Sequence, residues 1–349
     1  MITYSLIWFG LILGRMATDR RSQNIAYLFL VSFLVVFTGL RWEVGCDWSS
    51  YEWHFFIVSD PNFQVWARPV EHGYWFLIDF IQSVGLPYVS LNLIVSAIFF
   101  VCIHFFAKRL NDPYTLVLVL FPMLILGIVM SAIRQAVAVG FVTMALLAFV
   151  DRAPIKMIFL LLVGSTFHIS AIIFAPLIPI AWGTLNKTKV AIGLAMALPI
   201  AALVAMGESA ERANDIYVGT EIVSRGVLIR LGSLVSTAAM FWLFLRRSWR
   251  KNSPKDYPLA LILLWGTLAL ILISGPASVV ADRLSYYLVP LQGLVVVRAH
   301  TLPDIRSRRA VIVTQWAIFT IALLGWMTVS QHFSQCYDPY SNVIFNAFN

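Results

Sequence analysis

Three arginines in this chain sit where a cation is costly. Arg134 lies in Met130-Ser-Ala-Ile-Arg-Gln-Ala-Val137 with almost no polar loop around it, Arg230 lies just inside an apolar run, and Arg283 precedes Leu284-Ser285-Tyr286-Tyr287. Charges near apolar runs of this length are expensive and usually functional. A guanidinium is planar and offers parallel donors that match a phosphate. One reading is therefore a pyrophosphate clamp. The other is pairing with nearby carboxylates plus snorkelling to water. Arg41, Arg68, Arg212 and Arg225 extend the set to seven with no lysine among them, and for the set as a whole an anionic ligand is the favoured reading.

A second group lies between positions 41 and 72. It reads Arg41-Trp-Glu-Val-Gly-Cys-Asp-Trp-Ser-Ser-Tyr51 and ends Arg68-Pro-Val-Glu71-His72. Five acids (Glu43, Asp47, Glu52, Asp60, Glu71) are packed among four tryptophans (Trp42, Trp48, Trp53, Trp66). Flat aromatic faces stack on sugar rings, and carboxylates accept hydroxyl protons. An interfacial aromatic belt explains tryptophans, but not five acids among them. His168 is the third feature, in Val163-Gly-Ser-Thr-Phe-His-Ile-Ser170. A lone apolar histidine is more often structural. A place at a break between half-helices raises the functional reading, because broken helices line cavities.

Other chemistry is missing from the sequence. His54 and His72 are scattered, and no His-x-x-x-His or Cys-x-x-Cys spacing marks a metal site. No glycine-rich phosphate loop of the nucleotide-binding kind is present. Of the three cysteines, Cys46 and Cys336 fall on the side where disulfides form. Two free thiols are the expectation, with a bridge as the alternative.

The elements that must position these residues are membrane helices. Sixty per cent of the 349 residues are apolar and 12% are charged, against about 25% charged in a soluble domain. Apolar runs appear at 2–14, 24–40, 87–107, 114–132, 133–150, 155–183, 190–206, 227–245, 258–274, 284–298 and 311–330. The run 155–183 is interrupted at Thr166-Phe167-His168 and reads as two short helices. About twelve spans result, by a rule needing roughly 20 apolar residues each. Segment 73–86, with Asp79, reads as half-inserted or interfacial. Residues 2–14 read as a retained first helix, because the positive charges follow the run and do not precede it. The chain is expected to form one integral membrane domain, 1–349, with main outer loops at 41–72 and 207–226.

Eighteen of the 25 basic residues, including every lysine, fall in six clusters that occupy alternate gaps between the runs. These mark the cytoplasmic side. The inner face then carries a net +13 and the outer face −5, which together make the chain's +8. Both termini lie outside. The basic excess is a topology signal, and no nucleic-acid motif accompanies it.

Read in order, these residues resemble the EpsG-type branch of the Wzy-like bacterial polysaccharide polymerases. The family pattern Arg-x-x-x-Gly-x-Asp-x-x-x-Tyr is matched by Arg41, Gly45, Asp47 and Tyr51. Glu-x-Gly-Tyr is matched by Glu71, Gly73 and Tyr74, an Arg-Gln pair opening a helix by Arg134 and Gln135, and Phe-His-x-Ser by Phe167, His168 and Ser170. A late arginine before tyrosines matches Arg283, and an aromatic Pro-Tyr-Asn-like tail resembles Tyr337 to Asn342. The resemblance implies a polytopic all-α, GT-C-like bundle in the bacterial inner membrane. It implies a metal-independent, cofactor-free glycosyltransferase that joins undecaprenyl-pyrophosphate-linked oligosaccharide units at the outer face, with a chain-length regulator and a flippase as partners. The proton acceptor would be Asp47, Glu71 or His168. Arg41, Arg134, Gln135, Arg225, Arg230, Arg283, Tyr51, Tyr286 and Tyr340 would bind substrate or pyrophosphate.

Two rivals stand beside this reading. A flippase or exporter of lipid-linked sugars would place ionisable groups near mid-membrane, often in repeated halves. Asp79 and His104 fit that picture, but the unpaired charges gather at one face and no internal repeat is visible. A membrane acyltransferase with a buried histidine would need a cytosolic donor path, whereas His168 is assigned outward.

Overall fold

The computed structural model describes residues 1–19, 22–60, 71–182, 186–206, 225–303, 305 and 307–346, and only the backbone of 201–206, 225, 345 and 346. Regular structure among them is helical, and the one extended pairing is an isolated bridge between Arg41 and Asn342. Five helices are long and apolar enough to cross a membrane: Val89–Ala107, Ile133–Val150, Gly226–Asn252, Tyr257–Ser274 and Arg308–Val329. Five shorter apolar helices accompany them: Ile2–Ala17, Gln23–Gly39, Pro113–Val129, Pro154–Phe167 and Ile169–Ala181.

Helices in lipid gain little from hydrophobic exclusion, so close backbone approach holds them together. Gly140 packs against Cys102, and Gly164 against Phe141 and Ala171, where an added Cβ would come within 3.0 and 3.2 Å of its nearest neighbour. Irregular stretches have local causes. Pro122, which has no N–H to donate, lies at the start of the π-helical stretch Phe121–Val129. The run 155–183 breaks at His168, whose extended backbone (φ −154°, ψ 119°) ends Pro154–Phe167 and begins the 3₁₀ helix Ile169–Leu177.

Ion pairs follow the sequence-derived division into two faces. Arg15 pairs with Asp112, Arg109 and Lys255 with Asp151, and Arg298 with Asp256, all at the end assigned to the cytoplasm. The Met1 amino group pairs with Asp338, Arg134 with Glu71, and Arg230 with Asp282, all at the other end. No ion pair among the described residues joins the two faces.

Part of the segment 41–72 is helical: Trp48–Ile57 buries Trp48, Tyr51 and Phe55 on one side. Those three recur at helical spacing. They pack with Tyr74, Trp75 and Tyr88 in a separate aromatic cluster. One acid, Glu52, falls among them and interrupts the apolar pattern. Gly45 is required at the approach to this helix. Its φ is +106°, and a Cβ there would strike the Met130 carbonyl.

Cys46 and Cys336 form a disulfide, which corrects the expectation of free thiols. Residues 290 apart in sequence could not be judged adjacent from spacing alone. The bond fastens the 41–57 segment to a tail that folds back into the bundle. Tyr337 donates to the Leu126 carbonyl and Tyr340 to the Phe37 carbonyl, each at 2.8 Å. Maleimide labelling of denatured protein should therefore count one thiol, Cys102, before reduction and three after it. Three before reduction would show that the bridge does not form.

Candidate functional site

Polar side chains from six separate segments converge at the end of the bundle opposite the lysines. Arg134 opens the helix Ile133–Val150 and pairs with Glu71, which precedes the helix His72–Ser83. Its guanidinium also lies 5.6 Å from the Tyr51 ring centroid and 5.4 Å from that of Tyr74. A cation over aromatic faces is stabilised by their quadrupoles. Glu71 carries only 6% side-chain exposure. Burial pushes its carboxyl above the ordinary value, while Arg134 and Arg283 pull it back. Gly73 allows this approach, because a Cβ there would collide with the Thr166 hydroxyl.

Gln135 donates from Nε2 to the Arg283 carbonyl at 2.6 Å and so ties two sequence-distant motifs together. Arg283 itself is exposed and forms no ion pair among the described residues. Arg134 and Arg283 both act electrostatically on His168. His168 Nδ1 lies 2.6 Å from Ser170 Oγ, which lies 2.8 Å from the Tyr287 hydroxyl.

Arg230 pairs with Asp282 through Nε and Nη2 and sits 4.5 Å from the Tyr286 ring centroid. Beside it is a small cavity of about 30 Å³, lined mainly by apolar groups, among them Pro122, Met123, Ile229, Leu323 and Trp326. Asp47 precedes the helix Trp48–Ile57 without capping it. Its carboxylate is half-buried and has no hydrogen-bond or ion-pair partner among the described residues. Tyr51, Tyr286 and Tyr337 all feel its charge.

The candidates thus divide. Asp47, Tyr51, Glu71, Arg134, Gln135, His168, Arg230, Arg283 and Tyr286 share one neighbourhood. Arg41 does not offer its guanidinium to a ligand, contrary to the sequence reading. It is fully buried and donates to the Thr38 and Val44 carbonyls and to Asn92 Oδ1. Carbonyls at the C-terminal end of Gln23–Gly39 suit a cation, since that end carries the negative pole of the helix dipole. Tyr340 is likewise structural, stacked on Phe37 at 4.6 Å with its hydroxyl on a backbone carbonyl. Arg225 falls outside the residues with described side chains, and Arg68, Arg212 and the rest of 207–224 outside the described residues.

Asp282 and Tyr287 were missed as partners. Adjacency to Arg283 was the only signal for Asp282. One metal-type grouping was also invisible in the sequence: ligand atoms of Cys46, His332 and Cys336 lie within 4.8 Å of one another. With the two sulfurs joined, no thiolate is offered to an ion.

A family model described as the EpsG family matches residues 24–342, nearly the whole chain. No curated protein and no solved structure matches it.

Proposed function

This chain belongs to the EpsG family of multi-pass membrane proteins of polysaccharide biosynthesis, and from that premise we propose that it is a polysaccharide polymerase. It joins oligosaccharide repeat units carried on undecaprenyl pyrophosphate at the outer face of the bacterial inner membrane. The bundle is GT-C-like, with about twelve spans and both termini outside. The observation that carries the reading is the convergence of Asp47, Glu71, Arg134, His168 and Arg283, from distant segments, on one end of an apolar bundle.

In the reaction a hydroxyl of one lipid-linked unit attacks the anomeric carbon of another. The bond from that carbon to the phosphate oxygen breaks, and its electron pair leaves with the lipid pyrophosphate. Asp47 takes the hydroxyl proton, because its carboxylate is uncommitted whereas Glu71 is held by Arg134. Arg283 is the exposed cation for the diphosphate. Arg134 keeps Nε without a partner. Burial that raises Glu71 also eases its protonation, so an arriving diphosphate can take over the Arg134 charge. Arg230 has its charge matched by Asp282. Well-placed donors of this kind are typically worth ~3–4 kcal/mol each.

Transport is the second reading. One of its two candidates, His104, lies in the last turn of Val89–Ala107 and is engaged by Tyr27, stacked at 5.7 Å with the Tyr27 hydroxyl 3.1 Å from Nδ1. Deletion in the native host, followed by sizing of surface polysaccharide, separates the two. Single repeat units at the surface are expected; units trapped inside the cell would instead make the protein a transporter.

A further inference from the structure

His168 uses its own ring to cap the 3₁₀ helix that follows it. Nδ1 accepts the backbone N–H of Ser170 at 3.4 Å and lies 2.6 Å from Ser170 Oγ. A backbone amide can only donate, so Nδ1 is the nitrogen without a proton. The Ser170 hydroxyl then donates to the same nitrogen. Its oxygen is left to accept from Tyr287, whose hydroxyl is 2.8 Å away. In a neutral imidazole exactly one nitrogen carries hydrogen, and here that is Nε2, on the far edge of the ring.

We propose that His168 is a fixed hydrogen-bond donor to the leaving pyrophosphate and not the base, with Ser170 and Tyr287 as positioning residues that hold its Nε2–H tautomer. A base at Nε2 would need the opposite tautomer, which turns an Nδ1–H against the Ser170 amide. A base at Nδ1 would displace donors already in place. An Nε2–H, by contrast, needs an acceptor, and Arg134 and Arg283 lie within electrostatic reach of the ring, so an anion held by them is the acceptor in range. In the step, the acceptor hydroxyl forms its bond to the anomeric carbon and its proton passes to Asp47. The carbon–oxygen bond to phosphate breaks with the electron pair on oxygen, and Nε2–H hydrogen-bonds that oxygen while keeping its proton. This role rests on the polymerase reading; the tautomer does not.

Solid-state NMR of ¹⁵N-histidine-labelled protein in bilayers, with the His168 signals assigned by difference from His168→Gln, reads the tautomer directly. Nε2–H is expected, with Ser170→Ala and Tyr287→Phe moving it toward a mixture. An Nδ1–H tautomer in the unsubstituted protein would overturn the proposal. The second arm is chain growth in reconstituted protein. His168→Ala should lower it by about 10²-fold, the loss typical of one donor. His168→Gln, whose amide nitrogen falls near the position of Nε2, should recover at least about 10-fold of that loss, since the donor is restored. His168→Asn, whose nitrogen falls near Nδ1, should not. Equal loss in folded Gln and Ala variants would also sink the donor role. No chain growth by the unsubstituted protein would count against the polymerase reading and leave the tautomer result standing.

Discussion

Asp47→Asn is expected to abolish chain growth, lowering its rate by about 10²–10⁴-fold, the usual worth of a positioned proton acceptor. The substitution keeps the shape of the side chain and its place ahead of the helix Trp48–Ile57. It removes only the ionisable oxygen. Asp47 is held from its N-terminal side: Gly45 turns the backbone at φ +106°, and Cys46 is bonded to Cys336. Tyr286 and Tyr337 lie within electrostatic reach of it. Because no described group depends on its carboxylate, the thermal midpoint in detergent should stay within a few degrees of the unsubstituted protein. Chain growth at the original rate in Asp47→Asn would move the proton acceptor to Glu71.

Arg134→Lys should lower chain growth by about 10²–10³-fold, the range found when one donor to a developing oxyanion is removed. Lysine keeps the charge that Glu71 needs, so insertion and folding should persist. It loses the planar fork, including the Nε that has no partner in the protein. It also loses the flat cation set beside Tyr51 and Tyr74. The control is Glu71→Gln/Arg134→Lys, which removes the ion-pair requirement altogether. If that double variant polymerises normally, the guanidinium serves the fold and not the diphosphate.

Much of the candidate site was legible in the sequence, for a physical reason. A charge or a histidine inside an apolar run is costly and so stands out; Arg134, Arg230, Arg283 and His168 were found that way. The division of polar groups between two faces was legible from lysine placement, and the ion pairs follow it. What escaped was whatever depends on which distant residues meet. Arg41 has the same residue type and loop position as a ligand-binding arginine, yet the Thr38 and Val44 carbonyls surround it. Neither the Cys46–Cys336 bond nor the pairing of Arg230 with Asp282 leaves a local sequence trace. The helix Trp48–Ile57 escaped because its apolar residues face an aromatic cluster built from three other segments.

In the proposed reaction, guanidinium groups and an uncommitted carboxylate meet a sugar diphosphate at one face of the bundle. Purified protein in nanodiscs, supplied with undecaprenyl-pyrophosphate-linked repeat units and no nucleotide, tests it most directly. Mass spectrometry should find lipid-linked oligosaccharides of two and more units, with one undecaprenyl pyrophosphate released for each unit added. Repeat units that stay single, with no pyrophosphate-bearing lipid freed by a folded protein, would contradict the account.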